Sequence, residues 1–220
     1  MWFIGKIDKT TNLSTTKKKI IAAALKLFNE QGLVNVRLQH IADEAFVSIG
    51  NMAYHYHNKE AILKAIHEDL VKQQKALLAE YRIVPLFDNM NRLFSHTFHL
   101  QKTFIFFYLD TLEIIRAYPS IGSLHQKHIP FQIGQLKSML EFNAARGALI
   151  KNPQSTYEHL ASQIWRTTDY WFNQQLVQGE KELSEVTYLS TIWALLIPFF
   201  SKMGRLEYKQ MLHKPYDFFF

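Results

Sequence analysis

The sequence predicts an all-α protein, and three observations support that prediction. Apolar residues recur at intervals of three and four along most of the chain, as Ile21, Leu25 and Phe28 do near its start. Glycines and prolines stand between these stretches, where helices commonly end. No stretch alternates apolar and polar residues in the way that is typical of a half-buried strand.

The first helix is predicted over residues 14–31, and Gly32 ends it. The residues before it offer little to bury beyond an apolar triplet, so we expect residues 1–13 to form a flexible arm. Three consecutive lysines, residues 17–19, stand near the start of the helix. They suit a solvated helix end and a contact with phosphate about equally well.

Two short helices are predicted next, separated by a break at residues 46–47. The first, over residues 38–45, has apolar residues at helical spacing and therefore one apolar face. Ser48 then offers its hydroxyl to the free amides of the second helix, as an N-cap does. A further helix begins at Asn58, whose side chain can cap it. Two short helices around a tight break indicate a helix-turn-helix.

The second short helix carries side chains that suit DNA. Met52 and Tyr56 stand four apart and are expected to face inward, which leaves the residues between them nearer the outside. Asn51 can pair with adenine and Ile49 can touch a thymine methyl, while lysine, tyrosine and histidine can hold phosphates. We expect DNA contacts from Lys17, Arg37, Gln39, Ser48, Ile49, Asn51, Tyr54, His55 and Lys59.

Several of these residues form one motif at fixed spacing, namely Ile41-Ala42, Ala45, Val47-Ser48, Gly50, Met52, His55-Tyr56 and Lys59-Glu60. At these residues the sequence resembles the TetR family of transcriptional regulators. The resemblance covers residues 15–65 well and the remainder only as an all-helical outline. Phe46 stands where the family has a turn glycine, and a left-handed backbone there would cost about 1–2 kcal/mol. Ala53 replaces a phosphate-binding tyrosine of the family, so we assign that contact to Tyr54.

The rest of the chain predicts further helices, which we place at about residues 59–82, 86–98, 102–117, 131–147, 155–178 and 184–203. Pro130 predicts a break, Ser184 an N-cap and Pro198 a bend. The last two helices are apolar over more than one face, whereas a single core uses one stripe. The excess suits pairing with the same two helices of a second copy, which is also the dimer interface that the resemblance implies.

The expected dimer interface consists of Leu160, Ile164, Phe172, Leu189, Ile192, Trp193, Leu196 and Phe200. An aromatic-rich region precedes these helices. For any one of its residues an ordinary packed core is the simpler interpretation. The resemblance implies a small-molecule cavity there, for which we name Phe94, Phe98, Tyr108, Phe142 and Trp165. Asp110, Glu113, Arg116, Arg166 or Asp169 could fix a polar end of the ligand.

Composition excludes several other functions. The net charge of +6 and the pI of about 9.3 suit a polyanionic partner, and the absence of cysteine removes thiolate nucleophiles and cysteine-based zinc sites. Histidines stand three apart at 96 and 99 and at 125 and 128, but neither pair has a third ligand nearby, so solvated or hydrogen-bonded histidines are the simpler interpretation. No nucleotide-binding or catalytic motif occurs. We expect no enzyme activity, no cofactor and no metal.

These expectations combine into one hypothesis. Residues 1–13 are an arm, residues 14–60 a DNA-binding domain, and residues 61–220 a helical ligand-binding and dimerisation domain. The protein is expected to be a cytoplasmic homodimeric repressor. We expect no membrane partner, because no apolar run reaches the roughly 20 residues that a bilayer requires. It binds a palindromic operator and a small apolar or aromatic ligand releases it. The alternative is a helical carrier or sensor of hydrophobic molecules whose helix-turn-helix serves protein contacts.

Overall fold

A computed structural model describes residues 15–151 and 154–213, so the expected arm at residues 1–13 lies outside the described part. The described residues are helical and contain no strand, which confirms the predicted fold class. The helices are α1 (Thr15–Gln31), α2 (Leu38–Glu44), α3 (Ile49–His55), α4 (Lys59–Tyr81), α5 (Phe87–Thr103), α6 (Ile105–Leu109), α7 (Thr111–Ala117), α8 (Pro119–Ala145), α9 (Gln154–Val177), α10 (Glu185–Leu196) and α11 (Lys202–His213). A 3₁₀ turn, Ile197–Phe199, follows α10.

The chain divides into two compact units between Glu68 and Asp69, within α4. In the first unit α1, α2, α3 and the start of α4 enclose a small core. Its side chains are aliphatic with one central phenylalanine: Ile20, Ala24, Phe28, Ile41, Ala42, Met52, Ile62 and Leu63. As predicted, α1 ends before Gly32, whose φ of 76° lies in the left-handed region that glycine adopts without strain.

The second unit has an aromatic core formed mainly by α5, α8, α9 and α10. Phe98 stacks on Phe172 with ring centres 5.4 Å apart, and Trp193 meets the edge of Phe94 at 6.0 Å. The indole nitrogen of Trp193 donates to Asn91 Oδ1 at 2.8 Å, so its polar atom is satisfied inside the core. Within the described residues, no helix is both long and apolar enough to cross a membrane.

Two predictions about the middle helices of the second unit are wrong. Helix α8 runs through Pro130 without a break, because buried residues on both sides, such as His128 and Leu136, hold the helix against its neighbours. The helix expected at residues 102–117 is instead the end of α5 followed by α6 and α7, with non-helical backbone at Phe104 and Asp110. Apolar spacing continues through both interruptions and therefore did not indicate them.

The end of the chain differs from its prediction in the same way. Helix α10 begins with the expected cap, in which Ser184 Oγ accepts a hydrogen bond from the Thr187 amide at 3.4 Å. It does not continue to residue 203, because the 3₁₀ turn containing Pro198 and an extended Phe200 separate it from α11. Ser201 Oγ then accepts from the Gly204 amide at 3.1 Å and caps α11.

The eight residues expected at a dimer interface do not lie on the surface of the chain. All eight are buried inside the second unit of one chain: Leu160, Ile164, Phe172, Leu189, Ile192, Trp193, Leu196 and Phe200. Helices α5 and α8 of the same chain cover the second apolar face of α9 and α10. Their apolar excess therefore serves the chain's own core, and their assignment to contacts with a second copy is corrected.

Candidate nucleic-acid interface and ligand cavity

The turn between α2 and α3 fixes the position of the short helix α3. Phe46 adopts a φ of 55°, in the left-handed region, and the Val47 amide returns to the Ala42 carbonyl at 3.0 Å. Ser48 Oγ accepts from the Asn51 amide at 3.1 Å, which is the predicted N-cap. Met52 is fully buried beneath the helix. The turn thus keeps the shape of a glycine turn although a phenylalanine occupies it.

The outer face of α3 is exposed and carries little charge. Ile49 and Asn51 are exposed and Tyr54 is 85% exposed, while Met52 and Tyr56 face the core as predicted. The ring of Tyr54 meets that of His55 edge to face with centres 5.1 Å apart. This face offers an amide, a phenol, an imidazole and an aliphatic side chain. Any neutralisation of phosphate charge must therefore come mainly from residues outside α3.

Lysines of α1 are available for that purpose. Lys17 is half-buried and its ammonium lies 6.0 Å from the centre of the Tyr56 ring, on the reverse side of α3. Lys18 and Lys19 are exposed beside it. Of the three lysines, only Lys17 is among the DNA contacts predicted from the sequence. Because Lys18 and Lys19 are exposed, they suit phosphate contact at least as well as Lys17. No pattern in the sequence distinguishes the three lysines from one another.

Two further predicted contacts belong to α2 and its N-cap, where the backbone of one and the side chain of the other are hydrogen-bonded. Arg37 is the exposed N-cap residue of α2, and its amide donates to His40 Nδ1 at 3.3 Å. The Gln39 side chain donates to Asp43 Oδ1 at 2.7 Å. Both side chains are exposed, so a base or phosphate could still reach them. The carboxylate of Asp43, which is bonded to Gln39, would then lie close to the DNA as well.

Lys59 stands at the start of α4, as expected, but its ammonium makes a contact that the sequence did not indicate. Its ammonium donates a hydrogen bond to the backbone carbonyl of Leu33 and lies 5.6 Å from the centre of the Phe28 ring. Burial lowers its pKa from the ordinary value. Asn58 caps α4 as predicted, since its Oδ1 accepts from the Ala61 amide at 2.8 Å. Lys59 thus has a structural contact within the first unit, and its contact with phosphate stays a prediction.

The second unit contains a cavity of about 40 Å³ between α4, α5, α8 and α9. Of the predicted lining residues, Phe94 and Trp165 border it. Phe98 and Tyr108 are buried but belong to the core around it, and the Tyr108 hydroxyl accepts from Gln74 Nε2 at 3.0 Å. Phe142 is 38% exposed and lies outside the cavity lining, so its assignment is corrected.

Apolar side chains form more of the cavity wall than polar ones, which are three glutamines, two threonines and Asp169. Asp169 on α9 is only 5% exposed and borders the cavity, and burial raises the pKa of its carboxyl from 3.8 to about 7. Trp165 Nε1 and Gln132 Nε2 are buried, and none of the described residues accepts a hydrogen bond from them. A few convergent polar groups in an apolar cavity are typical of small-molecule sites.

The histidine pairs do not assemble a metal site among the described residues, where no three metal-binding side chains meet. The Tyr81 hydroxyl lies 3.0 Å from His96 Nδ1, and His99 Nε2 lies 3.0 Å from Glu185 Oε2. His125 and His128 are buried rather than solvent-facing, and burial lowers the pKa of both, that of His128 to about 4. The first pair thus contacts side chains of other helices, and the second pair is buried in the second unit.

Comparison with known proteins gives matches over most of the chain. The family model described as "Bacterial regulatory proteins, tetR family" matches residues 20–66, and the model described as "Bacterial transcriptional repressor" of TetR matches residues 70–208. The HTH-type transcriptional regulator RutR of Escherichia coli K12 is 36% identical over 70 residues, which are 32% of this chain and 33% of RutR. The match thus spans about one third of that relative's length.

Solved structures share the fold over nearly the whole chain. A TetR-family regulator from Marinobacter aquaeolei VT8 superposes with a TM-score of 0.80 at 19% identity, covering 91% of this chain and 98% of that one. SmeT, the repressor of the Stenotrophomonas maltophilia multidrug efflux pump SmeDEF, gives a TM-score of 0.64 at 18% identity, over 84% and 91% of the two chains. At such identities the likeness concerns the fold alone.

Proposed function

Since this chain belongs to the TetR family of bacterial transcriptional regulators, we propose that it is a homodimeric repressor that a small ligand releases from a palindromic operator. The observation that carries this proposal is the exposed face of α3, held out by the capped turn at Ser48. Its relatives are transcriptional regulators, and we assign the protein no enzymatic activity. We place it in the cytoplasm, where it can reach the chromosome.

The predicted contact residues of α1 and α3 take roles that their chemistry suits. Asn51, with two donors and an acceptor on its amide, reads a base edge in the major groove, and Ile49 contacts a thymine methyl. Tyr54, His55 and the lysines of α1 hold phosphates, which fixes the orientation of α3 without reading sequence. Arg37, Gln39 and Ser48 lie close enough along the chain to support these contacts.

One short helix reads few bases, so specificity requires a second copy. Two copies related by a twofold axis would read half-sites about 34–36 Å apart or a multiple of that distance. We propose that the dimer uses apolar side chains that the single chain leaves exposed on α9 and α10. Those on α9 are Tyr170, Leu176 and Val177, and Val186 stands at the start of α10.

Release by a ligand requires that the ligand bind one conformation better than the other. The cavity supports this mechanism, because a volume of about 40 Å³ holds only a few water molecules. A ligand of ordinary size must therefore displace side chains or helices as it enters. Helix α4 borders the cavity at Leu77 and Leu78, and its amino-terminal end at Lys59 belongs to the first unit, so displacement of α4 could change the separation of the two α3 helices.

The experiment begins with selection of genomic fragments that the purified protein binds, followed by affinity measurements on the selected sequence and on random duplex. Asn51→Ala should weaken binding to the selected sequence by about 1–3 kcal/mol and leave random DNA almost unaffected. Lys18→Ala should weaken both and lower the slope of log affinity against log salt by about one. Lys72→Ala, at an exposed position of α4 in the second unit, is the matched control.

Equal losses on both duplexes for Asn51→Ala would contradict its role as the base reader. If no duplex is bound at low salt, the repressor hypothesis fails and the alternative, a helical carrier of small molecules, takes its place. Sedimentation of the protein on and off the selected duplex measures the dimer. A complex with one chain per palindrome would contradict the proposed pairing.

A further inference from the structure

The carboxyl of Asp169 has no partner among the described residues. It lies on α9 at the cavity, 5% exposed, and no described side chain forms an ion pair or hydrogen bond with it. A buried carboxylate without a partner is costly, because burial removes its hydration without replacing it. Such a group either takes up a proton or meets a cation.

The surroundings of Asp169 supply no cation. From α6 and α10 the titratable groups that face it are Tyr108 and Tyr188, and burial raises the pKa of both phenols well above the ordinary value, so both are neutral. The Tyr188 hydroxyl already donates to Gln101 Oε1 at 3.1 Å. Helices α4, α5 and α8 present the amides of Gln74, Gln101 and Gln132, and no lysine, arginine or histidine borders the cavity.

The remaining polar side chains at the cavity are neutral, and the hydroxyls of Thr97 and Thr168 already donate to carbonyls of their own helices. Trp165 Nε1 and Gln132 Nε2 are buried without an acceptor among the described residues, and both residues border the cavity. They can donate hydrogen bonds to an oxygen atom of a ligand but cannot neutralise a charge. Between these points the wall is apolar, with Leu77, Phe94 and Ile164. The cavity therefore combines one negative group, neutral donors and an apolar wall.

We propose that the effector of this protein is an organic cation, an amphipathic amine whose ammonium group pairs with Asp169 while its apolar body lies between α4, α5 and α9. This rests on the proposed function, in which the cavity is the effector site. Anionic ligands such as fatty acids or aromatic carboxylates are disfavoured, because no positive group receives their charge and Asp169 repels it.

The pairing makes binding dependent on pH in one direction. Without ligand the Asp169 carboxyl, with its pKa of about 7, is largely protonated at pH 5.5 and largely ionised at pH 8. An amine that stays protonated over this range binds the ionised form better, so its affinity should rise from pH 5.5 to pH 8. Tyr108 and Tyr188 stay neutral throughout and do not contribute to the change.

The test uses three probes of nearly equal size with different charges: 2-phenylethylamine as the cation, 2-phenylethanol as the neutral analogue and phenylacetate as the anion. Calorimetric titration of the full chain at pH 8 should show the amine binding at least tenfold tighter than the alcohol, and phenylacetate weakest. Asp169→Asn should abolish the preference for the amine while retaining the alcohol. Glu113→Gln, an exposed position on α7 away from the cavity, should bind like the wild type.

A wild-type protein that binds the amine no better than the alcohol, or that binds none of the three probes, overturns the proposal. So does an Asp169→Asn variant that keeps the preference while its melting temperature shows that it is folded. Binding of the selected DNA without any probe is measured separately. If the protein binds DNA but not the amine, only the proposed cation site is overturned. If it prefers the amine through Asp169 but binds no DNA, the cation site is supported and the proposed repressor function is overturned.

Discussion

The ammonium of Lys59 donates a hydrogen bond to the backbone carbonyl of Leu33. Leu33 follows Gly32, the glycine directly after α1, and Lys59 is the first residue of α4, so the contact joins two segments that are 26 residues apart. The same ammonium lies 5.6 Å from the ring centre of Phe28, a fully buried residue of α1. A residue that resembles a DNA contact in the sequence thus holds together the unit that presents α3.

The first prediction separates these two roles. Lys59→Met keeps an apolar stem but removes the donor, so it should lower the free energy of unfolding by about 1–2 kcal/mol. The salt slope of DNA binding should stay unchanged, because the ammonium is engaged with Leu33. Urea unfolding and affinity against salt concentration measure the two quantities, with Lys64→Met at an exposed position of α4 as control. A drop of about one in the slope would show that Lys59 contacts phosphate as well.

The second prediction concerns the strained turn at Phe46. The side chain is 93% exposed and loses no packing when it is removed, while its φ of 55° costs about 1–2 kcal/mol for a residue with a Cβ atom. Glycine removes that cost but gives the unfolded chain more freedom, worth about 0.4–1 kcal/mol. Phe46→Gly should therefore stabilise the protein by up to about 1 kcal/mol in thermal unfolding.

Phe46→Ala is the control for that measurement, because it removes the ring but keeps the strained backbone. It should leave the melting temperature near that of the wild type. Equal stabilisation by alanine and glycine would show that the exposed ring, rather than the backbone, is unfavourable. A loss of DNA affinity in both variants without loss of stability would give the ring a contact of its own.

The third prediction concerns a buried amide that joins three segments of the second unit. Asn143 is fully buried, donates to the Pro85 carbonyl at 2.7 Å and accepts from Arg146 Nε at 2.8 Å. Arg146 in turn pairs with Glu207 on α11, with Nη1 and Oε2 2.7 Å apart. Asn143→Leu leaves a carbonyl and part of a guanidinium without partners, so it should cost about 2–4 kcal/mol in urea unfolding.

An exposed ion pair provides the comparison. Lys137 lies 3.4 Å from Glu158 and 3.9 Å from Glu141, at the surface between α8 and α9. Lys137→Ala should cost less than about 1 kcal/mol, because water screens such pairs. Similar losses for Asn143→Leu and Lys137→Ala would contradict the view that burial gives the amide network its strength.

The first unit was predictable because its signals are local. The Ser48 cap, the Asn58 cap and the inward Met52 each follow from residues within a few positions of one another, and the structure contains all three. The direction of the Lys59 side chain was not predictable, since its acceptor is the carbonyl of Leu33. No rule of spacing connects a lysine to a backbone atom so distant in sequence.

The second unit was predictable only as a set of helices. Spacing marked α9 and α10 as apolar on more than one face, but it could not tell whether this chain or a second copy covers the extra face. Packing by α5 and α8 provided the answer for residues such as Ile164 and Trp193. In the same way, two predicted cavity residues, Phe94 and Phe142, look alike in sequence although only the first borders the cavity.

The fourth prediction follows from the protonation of Asp169. Because the folded pKa, about 7, lies above the unfolded value of 3.8, the folded protein binds the extra proton between these pH values. Stability contributed by this proton is fully present below about pH 3.8 and is lost as pH rises through 7. Asp169→Asn removes the titration, so the variant should gain stability relative to the wild type as pH rises from 4 to 8, by at most about 4 kcal/mol.

Comparing the two proteins at each pH isolates this contribution from other titrating groups. His128, with a folded pKa of about 4, has the opposite effect on stability. Its unfolded form binds a proton below pH 6.5 and its folded form does not until about pH 4, so this residue lowers the free energy of unfolding as pH falls. Its effect is common to the wild type and the variant and cancels in their difference. Urea unfolding at pH 5 and pH 8 therefore suffices. If the difference between the proteins does not grow towards pH 8, Asp169 is ionised in the folded protein at both pH values, and its charge must already have a partner.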